Sequence, residues 1–564
     1  MNVRILSIPL VLAGVTSAQS TERISVDSTG LQANDHSSQA SLSTDGRWIV
    51  FSSAAKNLIA GDGNNTNDVF LRDRVTGTTT LVSTTFSGGI ANDHSFRPVV
   101  SDDGNVVAFW TAADDIFVGD SNVWFDVIVR DVAAGVSTCV SRDSAGVLAN
   151  GHSFAPAISA DGRFVAFHSV ATNLVAVDTN GWSDVFVHDR QTAQTTRVDV
   201  GPLGAEGNAN STYASLSADG RYVAYQSLAS NFVAVDTNST WDVFVHDRQT
   251  GVTTCASLGL SGAAGAGTSE RCALSADGRF VAFDSGAPDL LAGDTNGMPD
   301  VFVRDLATGT IVRGNVAASG GQSASFAIAP RLSANGRFVS FYTSASDLVL
   351  GDTNNAMDVF VRDLWLGVNS RASVDSQGVQ ANDNSQWPAL SGDGRVVAFE
   401  SHASNLTPGD TNVKADIFVR DVGCPSAVTY CTAKTNSQGC APSLSLVGSV
   451  SASAASGATL TTANVLGLKN GLYFHGTLAP TATPFHGGWL CVKAPLVRHG
   501  VQSSGGTSGA CDGTFGEDLN AYIASGADPA LVAGVSISLQ AWSRDPGDAF
   551  GDSLSDAVLA LICP

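Results

Sequence analysis

A segment of the form Asp-x-Asn-x-x-x-Asp occurs seven times in the sequence, at steps of 58 residues, and carries side chains that could bind a cation. Carboxylate and amide oxygens at its positions 1, 3 and 7 resemble half of a calcium loop. Numbering the repeat units one to seven, the candidate Ca²⁺ ligands in units one and five are Asp62, Asn64, Asp68, Asp294, Asn296 and Asp300. Most units have no side-chain oxygen at position 5, and no bidentate Glu follows at position 12. A structural Asx turn is therefore the alternative interpretation.

A second set of polar residues precedes the first predicted strand of each unit, and its members differ from unit to unit. In units seven, one, two and three they are Asn34, Asp35, His36, Asn92, Asp93, His94, His152, Asn382 and Asp383. The loops expected on the same face carry Trp124, Trp182 and Trp241. Aromatic rings beside amides and carboxylates can stack on sugar faces and bond their hydroxyls. We therefore predict a ligand-binding face here; the alternative is that the rings pack loops and the Asn-Asp pairs cap turns.

Catalysis is the weaker interpretation of these residues. Asp35, Asp93 and Asp383 are the candidates for the paired carboxylates of a glycoside-active enzyme. The three histidines belong to adjacent units, so their ring nitrogens should be too far apart for a zinc ion, which needs ligands near 2 Å. The sequence contains no G-x-S-x-G elbow, no H-E-x-x-H helix and no phosphate loop. The prediction therefore leans towards a protein that is not an enzyme.

The strands that must position these residues follow from the same repeat. An Asx-Gly turn recurs at Asp45, Asp103, Asp161, Asp219, Asp277, Asn335 and Asp393. Apolar runs on both sides of each turn predict a hairpin, and successive apolar residues such as 164–167 indicate strands buried on both faces. Four strands per unit predict an all-β chain with a seven-bladed β-propeller at 21–423. Residues 21–27 align with the fourth strand of other units and should close blade seven.

Composition and charge restrict the partners and the compartment. The chain has 564 residues and a net charge of −22, which would repel nucleic acid. Residues 1–18 read as a secretory signal peptide, with Arg4 ahead of the apolar run 5–15 and small residues before Gln19. No later apolar stretch is long enough for a transmembrane segment. We expect a secreted, periplasmic or cell-surface protein without a membrane span after cleavage.

The cysteines predict a second, disulfide-containing domain at 424–564. Six of the nine cysteines lie in this tail, and they allow fifteen pairings. We favour the local bridges Cys431–Cys440 and Cys491–Cys511, with Cys424–Cys563 tying the ends. Alternating segments at 444–450 and 535–542 suggest a small β-sandwich-like fold. The remaining cysteines, Cys139, Cys255 and Cys272, should be free and buried.

The repeat also resembles a known family. Ser-Ala-Asp-Gly-Arg-Phe-Val-Ala-Phe at 275–283, followed by Asp-Val-Phe-Val-Arg-Asp-x-x-Thr-Gly at 300–309, is similar to the TolB-like (WD40-like) β-propeller repeats of exported bacterial proteins. The resemblance covers about residues 21–423. It implies the fold but does not choose a function, because members of the family include envelope scaffolds, sugar-binding modules and propellers attached to hydrolases. The segments 430–434 and 543–547 look similar to a Cys-rich C-terminal module seen on large secreted bacterial proteins.

These observations favour an exported, non-enzymatic β-propeller that acts as a binding module or scaffold. The expected partner is a glycan or a protein of the cell envelope or the extracellular space. The tail would be an accessory or surface-sorting module. One alternative is a glycoside-active propeller enzyme that uses channel carboxylates. Another is a structural envelope protein stabilised by Ca²⁺, which is the only cofactor that the sequence suggests.

Overall fold

The computed structural model describes residues 19–234, 236–423 and 427–563, so the predicted signal peptide lies outside it. The chain divides into two compact units, one formed by Ser20–Asp421 and the other containing Val422–Pro564. Within the described ranges the fold is all-β, with one 3-10 turn (Pro202–Gly204) and one short α-helix. None of the described helices has the length and apolar character needed to cross a bilayer.

The first unit consists of seven four-stranded antiparallel sheets, the architecture of a β-propeller. Strand β1 (Ser20–Arg23) comes first in the chain and joins the last sheet. The remaining strands form sheet 1, with β2 (Ser37–Leu42), β3 (Trp48–Ser53), β4 (Asp68–Asp73) and β5 (Thr78–Leu81); sheet 2, with β6 (Ser95–Val100), β7 (Val106–Thr111), β8 (Asp126–Asp131) and β9 (Val136–Cys139); sheet 3, with β10 (Ser153–Ile158), β11 (Phe164–Ser169), β12 (Asp184–Asp189) and β13 (Gln194–Arg197); sheet 4, with β14 (Ser211–Leu216), β15 (Tyr222–Ser227), β16 (Asp242–Asp247) and β17 (Val252–Cys255); sheet 5, with β18 (Ser269–Leu274), β19 (Phe280–Ser285), β20 (Asp300–Asp305) and β21 (Ile311–Arg313); sheet 6, with β22 (Ala327–Leu332), β23 (Phe338–Thr343), β24 (Asp358–Asp363) and β25 (Val368–Arg371); and sheet 7, with β26 (Ser385–Leu390), β27 (Val396–Ser401) and β28 (Asp416–Asp421).

The second and third strands of each sheet are apolar at successive positions because neighbouring sheets cover both of their faces. Phe167 of β11 pairs with Phe186 of β12, and both belong to one core cluster with Val129 of sheet 2. Sheet 7 packs on sheet 1 in the same way, since one core cluster joins Phe51 to Val419. Burial of each such aromatic or aliphatic side chain contributes about 1.5–3 kcal/mol, so the hydrophobic core lies between the sheets around the whole ring.

The N-terminal strand closes this ring. Strand β1 runs antiparallel to β28, with Ser20 opposite Asp421 and Arg23 opposite Phe418. The Ser25 hydroxyl donates to Asp416 Oδ1 at 2.6 Å just beyond it. The pairing gives sheet 7 its fourth strand, which is the closure that the alignment of residues 21–27 predicts, and it covers an edge that would otherwise be open.

The Asx-Gly turns are structural. In the turn between β10 and β11, Asp161 Oδ1 accepts hydrogen bonds from the Ser159 hydroxyl (2.6 Å) and the Arg163 backbone N–H (2.9 Å). Gly162 has φ +72, and a Cβ there would lie 2.8 Å from Val106 of the preceding sheet. Only glycine satisfies both the left-handed backbone and the close approach, which explains why this turn recurs in each unit.

The second unit has its own sheets and core. Its elements are β29 (Val428–Tyr430), β30 (Ser443–Val447), β31 (Thr459–Val465), β32 (Asn470–Gly476), β33 (Thr483–Phe485), β34 (Gly488–Leu490), β35 (Val497–Arg498), β36 (Gln502–Ser503), β37 (Gly513–Asp518), α1 (Leu519–Ala524), β38 (Ser536–Arg544) and β39 (Asp552–Leu561). A six-stranded sheet contains β29, β39, β38, β32, β35 and β36, and a three-stranded sheet contains β30, β31 and β37. One core takes side chains from both sheets, among them Leu460 and Tyr473.

The predicted local disulfides are wrong. The structure joins Cys431 to Cys491 and Cys440 to Cys511, each with a Cα–Cα distance of 6.3 Å. The tertiary fold brings the segments around Cys431 and Cys491 together. The Tyr430 hydroxyl donates a hydrogen bond to the Cys491 carbonyl at 2.6 Å. The predicted Cys424–Cys563 bridge involves Cys424, which lies outside the described residues. Cys139, Cys255 and Cys272 are free and buried, as predicted.

Candidate functional site

The histidines that precede the first strands join neighbouring sheets. Backbone N–H groups of Ala415, Asn67 and Phe125 donate to the Nδ1 atoms of His36 (3.1 Å), His94 (2.9 Å) and His152 (3.0 Å), respectively. The same bond is made to Oδ1 of Asn210 in sheet 4 and of Asn384 in sheet 7. Five sheets therefore use this position for one structural hydrogen bond.

The Asn and Asp residues beside them also have repeated backbone partners. The Asn34 N–H donates to Asn57 Oδ1 (2.9 Å), and Asn34 Oδ1 accepts from the Lys56 N–H (3.0 Å). Asn92 and Asn382 brace the corresponding loops in the same way. The Oδ1 atoms of Asp35, Asp93 and Asp383 accept from the next backbone N–H at 2.7–2.9 Å. This arrangement agrees with the turn-capping alternative, and the ligand-binding role of these residues stays a prediction.

Asp35 has one further partner. Lys414 Nζ lies 3.0 Å from its Oδ1, and this hydrogen bond, with that from the His36 backbone, lowers the pKa of the Asp35 carboxyl. A carboxylate held ionised in this way is a poor general acid.

The three tryptophans do not occupy equivalent positions. Trp124 and Trp182 are exposed at the same position of their repeat units, whereas Trp241 aligns with Phe125, one residue later. The Trp124 ring meets the His152 ring edge-on, with 4.8 Å between centroids. Trp124 is thus a predicted aromatic platform that contacts a predicted polar residue.

The predicted calcium segments differ in their surroundings. Between Asp294 and Asp300 lies the Arg313 guanidinium, with its nitrogens 3.3 and 3.2 Å from the two carboxylates, and the Asn296 amide bonds to backbone atoms. Calcium would have to displace this arginine, so the structure does not support a Ca²⁺ site at Asp294, Asn296 and Asp300. Among the described residues, no three His, Cys, Asp or Glu side chains are grouped to hold a metal.

In unit one the aspartates have a different environment. Asn64 Nδ2 donates to Asp68 Oδ2 (2.9 Å) and to the Ala91 carbonyl (2.9 Å), and Asn64 Oδ1 accepts from the Thr66 N–H (3.1 Å). Asp62 Oδ1 is buried without a hydrogen-bond partner. The Asn64 amide is therefore committed to the loop, while Asp62 keeps an unsatisfied oxygen.

The central channel forms a cavity with a volume of about 670 Å³. The third residue of each first strand lines it, and all seven have left-handed backbones with φ between 46° and 58°: Gln39, Arg97, Ala155, Tyr213, Arg271, Ala329 and Trp387. Such φ values are uncommon for residues other than glycine. The first strand shifts register at this point in every sheet. We call these seven residues the channel ring.

The channel ring combines cations with aromatic faces. The Arg97 guanidinium lies 4.8 Å from the centre of the Tyr213 ring, and the side chains of Tyr213 and Trp387 are 40% and 37% exposed. Arg271 is paired with Asp284 at 2.9 Å and lies 3.6 Å from Glu270. Planar guanidinium groups and exposed rings are suited to binding anionic, ring-shaped ligands.

Arg97 and Arg331 are the cations of the channel that lack a counterion. In the part of the chain that the structure describes, neither has a carboxylate oxygen within 4 Å, and Arg331 NH1 donates to the Pro330 carbonyl at 2.9 Å. Enclosure by the channel wall and the positive charge of Arg97 both lower the pKa of Arg331. The two like charges thus repel each other, while the charge of Asp284 acts on Arg331 in the opposite direction.

Side chains of the second strands hold the channel ring in place. The Arg271 backbone N–H donates to Gln226 Oε1 (2.9 Å), and the Ala329 N–H donates to Asp284 Oδ1 (3.1 Å). Burial raises the pKa of Asp284 to about 7 against the opposing charge of Arg271. Burial, with the charge of Arg97, lowers the pKa of His168 to about 3. His168 is therefore neutral at physiological pH, and the strain of the left-handed ring is supported by buried polar groups.

An array of aromatic rings links the predicted face to the channel in sheets 2 to 4. Its neighbouring centroids are 4.8–5.5 Å apart along Phe96, Trp110, Phe154, His168 and Tyr213. His94 stacks on Phe96, and His152 stacks on Phe154. The structure thus connects His94, His152 and Trp124 to Tyr213 of the channel ring through ring contacts.

The predicted ligand-binding residues all lie in loops and do not include the channel ring. The ring also differs from unit to unit, so the sequence does carry a signal for it. The ring position is Gln, Arg, Ala, Tyr, Arg, Ala and Trp in units one to seven. Comparing the first-strand positions among the units would have identified Arg97, Tyr213, Arg271 and Trp387.

Comparison with known proteins finds distant structural neighbours. No protein-family model and no curated protein matches the sequence. TolB from Acinetobacter baumannii is similar at 16% identity and a TM-score of 0.33, over 57% of this chain and 62% of that protein. An oligogalacturonate lyase in complex with manganese matches at 14% identity and a TM-score of 0.42, over 72% and 94% of the two chains. The β-propeller domain of the Trilobed protease from Pyrococcus furiosus matches at 10% and 0.42, over 69% and 94%. The structural neighbours are thus TolB-like and other β-propeller proteins.

Proposed function

We propose that the protein is an exported, non-enzymatic binding module that takes a carboxylated glycan into its central channel. The seven four-stranded sheets would be the blades of one closed propeller. The observation that carries this proposal is the pair of channel cations, Arg97 and Arg331, without a counterion and beside exposed aromatic faces. Disulfides in the second unit fit the oxidising compartment of a secreted, periplasmic or cell-surface protein.

The chemistry of the channel favours an acidic sugar. Arginine forms bidentate hydrogen bonds with carboxylates, and the faces of Tyr213 and Trp387 can stack on pyranose rings. A cavity of about 670 Å³ lies in the usual range for a small-ligand site. The net charge of −22 would disfavour long polyanions at a distance, so the expected ligand is a short acidic oligosaccharide or a chain end.

A glycoside-active enzyme receives less support. Asp35, Asp93 and Asp383 each cap a backbone N–H group. In the channel, Glu400 has its pKa raised by burial and accepts from Gln386 Nε2 at 3.3 Å. Glu270 lies beside Arg271. Retention of intact oligosaccharides after long incubation with the protein would distinguish binding from hydrolysis.

Calorimetric titration with matched oligosaccharides tests the proposal. We expect a uronic-acid oligosaccharide to bind and its carboxyl-reduced, neutral counterpart to bind at least about tenfold more weakly, a difference of about 1.4 kcal/mol. The double variant Arg97→Ala/Arg331→Ala should lose the acidic ligand. Arg498→Ala, an exposed site in the second unit, is the matched control.

Three results would oppose this function. Equal binding of the acidic and neutral sugars would show that the cations do not recognise the ligand. Unchanged affinity in the double variant would place the site elsewhere. Binding of acidic peptides in place of sugars would replace the glycan by a protein partner.

A further inference from the structure

An arginine bridges the aspartate pair of the Asp-x-Asn-x-x-x-Asp segment in four of the seven sheets. In sheet 5 it is Arg313, between Asp294 and Asp300. The equivalent arginines are Arg23 in sheet 7, Arg197 in sheet 3 and Arg371 in sheet 6, each 3.1–3.8 Å from both carboxylates. All four arginine side chains are almost completely buried. A buried carboxylate pair requires such a counter-charge.

A companion residue is present wherever this arginine is present. Gln322 Nε2 donates to Asp294 Oδ1 (2.7 Å) and Asp300 Oδ2 (3.0 Å), and the equivalents of Gln322 are Gln32, Glu206 and Gln380. In sheets 1, 2 and 4 both positions are apolar, as Leu81 with Ile90, Cys139 with Leu148, and Cys255 with Ala264. The arginine and its companion are thus replaced together, while both aspartates remain.

Sheet 4 shows the consequence most clearly. Asp236 is only 6% exposed, and its Oδ1 is buried without a hydrogen-bond partner. Asp242 is completely buried, and accepts from the Ser257 hydroxyl (2.6 Å) and Asn238 Nδ2 (2.7 Å). Burial, with the nearby charge of Asp236, raises the pKa of Asp242 to about 6. Sheet 4 therefore has two buried carboxylates but lacks the arginine that lies between them in sheets 3, 5, 6 and 7.

Sheet 1 resembles this arrangement. Asp62 Oδ1 is likewise buried without a partner, although the residue as a whole is only part-buried and the charge of Lys56 acts on it. Asp68 accepts from Ser83 and Asn64. In sheet 2, by contrast, the Asn122 N–H donates to Asp120 Oδ1 at 3.3 Å, and the charge of Arg142 reaches Asp126. Sheet 2 therefore lacks the unpartnered oxygen found in sheets 1 and 4.

We propose that Asp236/Asp242 and Asp62/Asp68 each bind a Ca²⁺ ion at the place that an arginine guanidinium occupies in sheets 3, 5, 6 and 7. Two carboxylates neutralise one divalent ion and supply the hard oxygen ligands that Ca²⁺ prefers. Water completes its shell, which the irregular geometry of Ca²⁺ tolerates better than the octahedral demand of Mg²⁺. These sites are independent of the channel, so they do not depend on the proposed glycan.

The proposal is tested by introducing the arginine and its companion residue into the sheets that lack them. In metal-free buffer the mature protein is titrated with CaCl₂ by calorimetry, and the Tm is measured with CaCl₂ and with EDTA. We expect two Ca²⁺ ions per chain and a higher Tm with Ca²⁺. The graft Cys255→Arg/Ala264→Gln copies sheet 5 into sheet 4 and should leave one ion. Adding Leu81→Arg/Ile90→Gln should leave none and make the Tm independent of Ca²⁺.

Asp236→Asn is the second variant, in case a graft does not fold. It should lose one ion while its circular dichroism stays that of the parent protein. The reverse exchange, Arg313→Leu/Gln322→Ile, should add a Ca²⁺ ion in sheet 5. Absence of Ca²⁺ binding by the folded parent protein at millimolar CaCl₂ would overturn the proposal. Unchanged stoichiometry in Asp236→Asn, or tighter binding of Mg²⁺ than of Ca²⁺, would also overturn it.

Discussion

The guanidinium of Arg97 lies 4.8 Å from the centre of the Tyr213 ring, although the two residues belong to sheets 2 and 4. Sheet 3 lies between them and contributes only Ala155 to the channel ring. The small methyl group leaves room for the arginine to reach across the channel. A cation over an aromatic face is stabilised by the quadrupole of the ring, so the two residues form one preorganised corner of the proposed binding site.

The first prediction concerns this pair. Arg97→Ala and Tyr213→Ala should show a coupling free energy of about 0.5–2 kcal/mol in a double-mutant cycle of urea unfolding, because each change removes the same cation–ring contact. The control cycle combines Arg97→Ala with Trp387→Ala, a change in the channel-ring residue of sheet 7. The effects of these two changes on the free energy of unfolding should be additive. Equal coupling in the two cycles would show that the contact with Tyr213 is not specific.

The second prediction concerns the buried carboxyl group of Asp199. Burial and the neighbouring Asp184 raise its pKa well above the ordinary value. The folded protein therefore keeps a proton that the unfolded chain releases near pH 3.9. The stabilisation that this protonated carboxyl provides is complete below about pH 3.9 and is lost as the pH rises through the pKa of Asp199 in the folded protein.

Asp199→Asn should therefore raise the free energy of unfolding at pH 8 by about 1–3 kcal/mol and have less effect at pH 4. Asn315 occupies the equivalent place in sheet 5, where its Oδ1 accepts from the Val301 N–H at 2.9 Å. Urea unfolding at both pH values measures the effect. Destabilisation at pH 8 would show that the Asp199 carboxyl is ionised and needed there.

The third prediction restores a repeated ion pair in sheet 2. In sheet 1, Arg47 contacts Asp73 through two hydrogen bonds of 2.9 and 2.8 Å, which lower the pKa of Asp73. Sheet 2 has Asn105 instead, with its Nδ2 3.3 Å from Asp131. Asn105→Arg should raise the free energy of unfolding by about 0.2–1 kcal/mol at neutral pH, since the pair is half-exposed.

The pH dependence of that gain follows from the lowered carboxyl pKa. The stabilisation should be complete above the unfolded pKa near 3.9 and should decrease as the pH falls from there towards the lower pKa of the folded carboxyl. Thermal unfolding at pH 7 and pH 3 should show the smaller gain at pH 3. In an Asp131→Asn background the new arginine should add nothing, and a gain there would assign the effect to packing.

The fourth prediction is the disulfide pattern of the second unit. Peptide mapping of the unreduced protein should recover the Cys431–Cys491 and Cys440–Cys511 links. Cys440→Ser and Cys511→Ser should destabilise this unit by the same amount, about 2–5 kcal/mol, because each opens the same bridge. Recovery of a Cys431–Cys440 peptide would contradict the pairing.

The fifth prediction concerns the free thiols of the first unit. Burial raises the pKa of the Cys255 and Cys272 thiols to about 12, and thiolate is the reactive form. At pH 8 a thiol reagent should modify them at least about a hundredfold more slowly in the native protein than in urea. Cys139, also buried, should behave alike. Rapid native modification would indicate local opening of these sheets.

The fold was predictable from the sequence because its signals are local and repeated. A two-residue Asx-Gly turn between apolar runs specifies a hairpin without reference to distant parts of the chain. Strands such as 164–169 are apolar at successive positions, and this indicates burial on both faces. The pairing of β1 with β28 could also be anticipated, since residues 21–27 carry the pattern of a fourth strand.

The site was less predictable because its residues belong to different sheets and meet only when those sheets pack together. His94, His152 and Trp124 contact the aromatic array of sheets 2 to 4. The predicted carboxylates of Asp35, Asp93 and Asp383 instead accept hydrogen bonds from backbone N–H groups. The left-handed backbone at Arg97 and Tyr213 could not be predicted from residue type, because neither position is a glycine or an asparagine. The register shift that carries these side chains to the channel therefore has no local sequence signature.

The sequence by itself determined the repeat, the strand order and the all-β class, because hydrogen bonding within the sheets of the first unit joins strands close in the chain, apart from the pairing of β1 with β28. Only the tertiary structure decided which residues share a cavity, which aspartate pairs have an arginine between them and which cysteines are joined. Those relationships depend on which side chains meet in space, whether they are as close in the chain as Arg313 and Asp294 or as distant as Cys431 and Cys491. Their geometry follows from how the sheets pack, which the pattern within one repeat unit does not specify.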